Sequence, residues 1–182
     1  MSNNPIGFFD SGIGGVTLWK EVHSLLPYEN KIYLADSINS PYGDKSDKEL
    51  EEISFKNSEF LLEKGCKLII VACNTATTKC IEKLRKRFDI PFIGIEPAIK
   101  PAALNTKTGK VGVLATKGTL GSDLFYKTSN KHASSVKIIE QSGRGLVPLI
   151  EQGKMDGDEI KNLLKKYLQV MINENVDKLV LG

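Results

Sequence analysis

Three short stretches gather residue types that move protons and hold small ions. Cys73-Asn74-Thr75-Ala76-Thr77-Thr78 follows the apolar run Leu68 to Ala72 and opens a segment with helical spacing. A thiol there meets the partial positive charge of a helix start, which lowers its pKa and makes it available as thiolate near neutral pH. The blander reading is a buried, inert cysteine, a common fate of free thiols, although Asn and Thr at a strand end are unusual company for one. Asp10-Ser11-Gly12-Ile13-Gly14-Gly15 is a second glycine-rich stretch between an apolar run and a helical one. It reads as a phosphate cradle, as a plain strand-to-helix turn, or as a loop offering a carboxylate and a hydroxyl to an ammonium group. The phosphate reading lacks the Lys of a GxxxxGK[ST] loop and the glycine spacing of a dinucleotide fingerprint. Pro41-Tyr42-Gly43 taken alone is a turn. With Asp36-Ser37 before it and a capped helix after it, the same segment becomes a loop able to cover a site.

The other candidates carry less. Cys66 and Cys80 stand seven residues either side of Cys73. Cys66 precedes the strand that Cys73 follows, and Cys80 lies two turns into the next helix, so the three sulfurs are not expected to meet. No CxxC occurs and His23 and His132 have no ligand spacing, so no metal site is expected and both histidines read as surface or packing residues. Trp19, Leu25 and Leu26 share helical spacing with Val16 and Val22 and read as core.

The elements that must position these residues come from hydrophobic patterning. Strands are expected at Ile6 to Phe9, Ile32 to Ala35, Leu68 to Ala72, Phe92 to Ile95, Val111 to Ala115, Val136 to Ile139 and Leu179 to Leu181. Helices are expected at Val16 to Leu26, Asp47 to Lys64, Thr75 to Phe88 and Glu159 to Ile172, the second opened by a Ser46/Glu49 capping box. Alternating strands and helices imply an α/β chain with parallel sheets, doubly wound, and ligands at the carboxyl ends of the strands. Ile6 to Ser11 is echoed by Val111 to Thr116, which predicts two similar lobes, 1–95 and 96–182. The second lobe reads as incomplete, because Lys178-Leu179-Val180-Leu181-Gly182 parallels the approach to Cys73 but leads into no cysteine.

Composition narrows the partners. Lys and Arg total 25 against 22 Asp and Glu among 182 residues, for a net charge of +3, with the charges interspersed, so no nucleic-acid partner is expected. No run approaches the roughly 18 apolar residues of a membrane span. Met1-Ser2-Asn3-Asn4-Pro5 carries no leader pattern and three cysteines suggest reduced thiols, so a cytoplasmic location is expected. The oligomeric state stays open, a homodimer included.

Phe9 to Gly15, Pro41-Tyr42-Gly43 and Val71-Ala72-Cys73-Asn74-Thr75-Ala76 together resemble the glutamate branch of the cofactor-independent aspartate/glutamate racemase superfamily. Gly94-Ile95-Glu96-Pro97-Ala98 and Leu146 to Glu151 extend the resemblance. It implies two related α/β lobes with one amino acid held between them, a cysteine from each lobe at its α-carbon, and no cofactor. The expected reaction interconverts L- and D-glutamate and supplies D-glutamate for peptidoglycan. Carried over position by position, Cys73 is an acid/base thiol and Asp10, Ser11, Tyr42, Gly43, Asn74 and Thr75 bind substrate, with Thr119 and Glu151 also near the site. The superfamily's second motif, Cys-Thr-His, would begin after Gly182, so the resemblance makes this chain a C-terminally truncated racemase lacking the second thiol. Two other readings stay open: a half-site that binds an acidic amino acid without racemising it, and a single-cysteine decarboxylase or isomerase of the same superfamily.

Overall fold

The computed structural model describes residues 3–133 and 135–182. Met1 and Ser2, the start of the amino-terminal stretch read above for a leader, lie outside the described residues. The chain divides into two units, Met1–Ile95 and Glu96–Gly182, each with its own parallel sheet.

In the first unit, β1 (Ile6–Asp10), β2 (Lys31–Ala35), β3 (Leu68–Val71) and β4 (Phe92–Gly94) form one sheet in the order β2-β1-β3-β4. All five residues of β1 are buried, as a central parallel strand covered on both faces requires. Phe9 sits opposite Leu34 on one side and Val71 on the other, so the chain leaves β1, β2 and β3 at the same edge. Helices α1 (Val16–Leu25), α2 (Asp47–Glu63) and α3 (Asn74–Arg87) connect the strands. The capping box forms as expected: Ser46 accepts from the Glu49 amide and the Glu49 carboxylate accepts from the Ser46 amide. α2 buries Leu50, Ser54, Asn57, Ser58 and Leu61, a stripe at helical spacing that is unusually polar. On the surface α2 is tied to α3 by Lys79–Asp47, Lys83–Glu51 and Arg87–Glu59, exposed pairs worth about 0–1 kcal/mol each.

The expectation that Leu25 and Leu26 belong to the core is wrong: they are 78% and 46% exposed. Only Leu18, Trp19 and Val22 of α1 pack, half-buried, on Ile6, Phe8 and Ile70. α1 ends at Leu25, where the chain turns through the exposed Pro27 and Tyr28 toward β2, so the last side chains fall beside the turn. His23 is exposed, its ring stacked on Trp19 at 5.2 Å.

In the second unit, β5 (Lys110–Ala115) lies between β6 (Lys137–Ser142) and β7 (Lys178–Leu181). Around this sheet run α4 (Ile99–Asn105), α5 (Lys117–Leu120), α6 (Asp123–His132), α7 (Leu146–Glu151) and α8 (Asp158–Asn173). Side chains of a strand alternate between faces, and β5 shows it. Val111, Val113 and Ala115 join a core with Ile99, Leu120 and Phe125, while Leu114 joins another with Leu146, Leu149, Tyr167 and Met171. Gly145, which begins α7, has φ 88°, a left-handed conformation that suits glycine. No helix among the described residues is long and apolar enough to cross a membrane.

Candidate active site

The carboxyl edge of the first sheet collects the candidate residues of that unit. Cys73 is the N-cap of α3, and its Sγ accepts from the Ala76 amide at 3.5 Å. The Ser11 amide and hydroxyl are also within hydrogen-bond reach of the thiol. Asp10, at the end of β1, is buried and close enough to act on Cys73 by charge. Its Oδ2 accepts from the Gly15 amide at 2.9 Å, which closes the loop that carries Ser11. Tyr33 of β2 secures the same loop, donating to the Gly12 carbonyl at 2.9 Å. A Cβ on Gly15 would stand 2.6 Å from that of Ala72 and 2.8 Å from the Tyr33 hydroxyl, so this close approach needs glycine.

The protonation state of Cys73 reverses the expectation. Burial, and then the like charge of Asp10, push the thiol up to about 12, against an ordinary 9.0. The amides of Ala76 and Ser11 and the Ser11 hydroxyl act the other way and are outweighed. A helix start does lower a thiol's pKa, but here desolvation of the charged form wins.

Asn74, the first residue of α3, holds its side-chain Oδ1 buried without a hydrogen-bond partner. A buried acceptor left unpaired costs about 1–3 kcal/mol, a deficit that a ligand donor can offset. Thr75 is buried beside it. One turn on, the Thr77 hydroxyl donates to the Val71 carbonyl and accepts from the Ile95 amide, each at 3.1 Å, and so joins the ends of β3 and β4.

Tyr42 and Gly43 lie in the second of two short 3-10 turns, Ser37–Asn39 and Tyr42–Asp44, that follow β2. The second turn packs against α3. Tyr42 is 1% exposed, and its hydroxyl donates to Asp36 Oδ2 at 2.5 Å. Asn57 of α2 donates to the Tyr42 hydroxyl at 2.9 Å and to Asp36 Oδ2 at 3.3 Å, and Asn39 donates to both Asp36 oxygens. Burial first, then Asp36, hold the Tyr42 phenol well above its ordinary value, so it stays protonated. Asn57 and Asn39 did not stand out in the sequence. A polar residue on the inward face of an amphipathic helix was the signal for Asn57.

Thr119 and Glu151 belong to the second unit. Thr119 is fully buried in α5, bonded to the Thr116 hydroxyl that caps this helix, and Glu151 ends α7, partly buried. Cys66 and Cys80 are buried with raised pKa values, Cys66 against Gly7 at the far end of β3 from Cys73. Among the described residues no three His, Cys, Asp or Glu are gathered to hold a metal ion.

A family profile described as Asp/Glu/Hydantoin racemase matches residues 21–182. The chain belongs to this family. A glutamate racemase from Roseiflexus sp. is 47% identical over 183 residues, covering 100% of this chain and 67% of the relative. Among solved structures, the Escherichia coli glutamate racemase in complex with L-glutamate and the activator UDP-MurNAc-Ala superimposes with a TM-score of 0.84 at 33% identity, over 98% of this chain and 69% of that one. A Bacillus anthracis glutamate racemase isoform gives 0.84 at 32% identity, over 97% and 66%. The chain thus spans about two thirds of the length of the racemases it matches. Both parallel sheets and their helices correspond to the fold of these family members.

Proposed function

We propose that the protein is a glutamate racemase, which removes the α-proton of glutamate on one face and returns a proton on the other, with Cys73 as one of two acid/base thiols. The observation that carries this reading is the surrounding of Cys73: a buried thiol at a strand end, with Asp10 and Ser11 against it and the unpaired Asn74 Oδ1 beside it. Carboxylate and amide oxygen suit the α-ammonium group of an amino acid. Its α-carboxylate suits the amides at the start of α3 and the Ser11 and Thr75 hydroxyls, which would offset the charge that develops as the α-carbon loses its proton. A substrate ammonium against Asp10 also removes the like-charge penalty on the thiol, so binding helps to create the base. Tyr42 and Gly43 complete the pocket wall on the first unit.

The opposite-face thiol is the Cys of a Cys-Thr-His segment that the family resemblance places after β7. Cys66 and Cys80 cannot serve, since both are packed away from the carboxyl edge. The same reading makes D-glutamate for peptidoglycan the product and the cytoplasm the compartment. Circular dichroism of L-glutamate incubated with the full-length protein tests it: the signal decays toward zero with wild type, and persistent signal overturns the reading. Cys73→Ser lowers turnover by at least about a hundredfold, the usual contribution of a positioned acid/base group.

A further inference from the structure

We propose that Asn57, on α2, is a positioning residue of this site: by donating to the Tyr42 hydroxyl and to Asp36, it holds the Tyr42-Gly43 turn at the carboxyl edge where substrate binds. The inference rests on the glutamate reading above and adds to it a residue outside all three recognisable motifs.

The direction of every bond in the cluster follows from donor counting. Tyr42 has one hydroxyl proton, committed to Asp36 Oδ2 at 2.5 Å, so toward Asn57 its oxygen can only accept. Asp36, 7% exposed, accepts and has nothing to give as a carboxylate. The Asn57 amide therefore turns its nitrogen to both partners, one N–H to the Tyr42 hydroxyl at 2.9 Å and the other toward Asp36 at 3.3 Å. Its oxygen in the same place would face a carboxylate. Asn57 is itself 8% exposed, on a helix fixed at its start by the Ser46 capping box and packed along α3. The turn that carries Tyr42 and Gly43 has no regular element of its own beyond three residues. What fixes its height against the start of α3 is this pair of buried bonds from a rigid helix. Loops that bind ligands are placed by such scaffolds.

The test is steady-state racemisation of glutamate by the full-length protein carrying Asn57→Leu, which keeps the side chain's size and removes the donor. KM rises about tenfold while kcat changes less than about threefold, because the turn that Asn57 holds contacts substrate and does not carry the proton transfer. Tyr42→Phe removes the Asn57–Tyr42 bond from the other end, together with the bond from Tyr42 to Asp36, without touching α2, and reproduces the rise in KM. In the Tyr42→Phe background Asn57→Leu adds less than about twofold, because the hydroxyl it serves is gone. An unchanged KM in Asn57→Leu overturns the proposal, as does an Asn57 effect that persists in full beside Tyr42→Phe. If Asn57→Leu does not fold, Tyr42→Phe decides alone: an unchanged KM in that folded variant overturns the proposal. A wild-type protein that leaves L-glutamate unracemised overturns the functional reading and this inference with it, whereas an active wild type with indifferent variants overturns only the inference.

Discussion

Cys73 occupies a position at which two physical effects disagree. The helix start and the donors from Ser11 and Ala76 favour thiolate, whereas burial and Asp10 favour thiol, and the second pair prevails. The resting site therefore holds a protonated sulfur, and the charge beside it becomes the means of control. Asp10→Asn keeps an oxygen for the Gly15 amide and removes the like charge, so the Cys73 pKa falls from about 12 toward its ordinary 9.0. Alkylation of Cys73 by iodoacetamide, read by mass spectrometry as a function of pH, should then begin at lower pH in Asp10→Asn than in wild type. Coincident profiles would show that Asp10 does not govern the thiol. The sign is opposite to that of a variant that merely loosens the helix start, which would leave the thiolate without its donors.

Short helices and turns translate these residues into a site, and the start of α2 is the clearest case. Ser46→Ala removes one half of the capping box and should cost about 1 kcal/mol of stability, measured as a lowered denaturation midpoint at unchanged m-value. A drop below about 0.3 kcal/mol would mean that the packing of α2 on α3, and not its cap, holds the helix end. The seven strands were legible because β-branched runs bounded by polar residues have few other readings, and Cys73, Asp10 and Ser11 were legible because they follow those runs directly. α4, α5, α6 and α7 were not. α5 has four residues, and α4 and α7 contain Pro101 and Pro148, so none of these three presents two full turns of apolar spacing. Leu25 and Leu26 misled for the complementary reason: spacing says which side of a helix a residue takes, not whether the sheet extends beneath it. Asn57 stayed hidden because its partners are 15 and 21 residues away along the chain, and only folding brings Tyr42 and Asp36 to it.

Across the first unit, three thiols are buried at three places, and burial raises the pKa of each. In the unfolded chain they ionise near their ordinary 9.0, in the folded one at higher pH. A raised folded pKa contributes stability that is complete below the unfolded value and is lost as pH climbs toward the folded one. Thermal or denaturant midpoints should thus hold to about pH 9 and then decline, and Cys80→Ala should flatten that decline by removing one of the three. A midpoint that rises across the same range would contradict the assignment. Besides burying Leu50 and Leu61, α2 meets the rest of this unit through two kinds of polar contact, ion pairs to α3 at the surface and neutral amides and a phenol gathered around the buried Asp36 carboxylate. Ions in solution screen the first kind of contact and scarcely reach the second. Raising ionic strength therefore loosens the outer seam between the two helices and leaves the grip on the Tyr42 turn in place, so the site tolerates brine better than the surface that surrounds it.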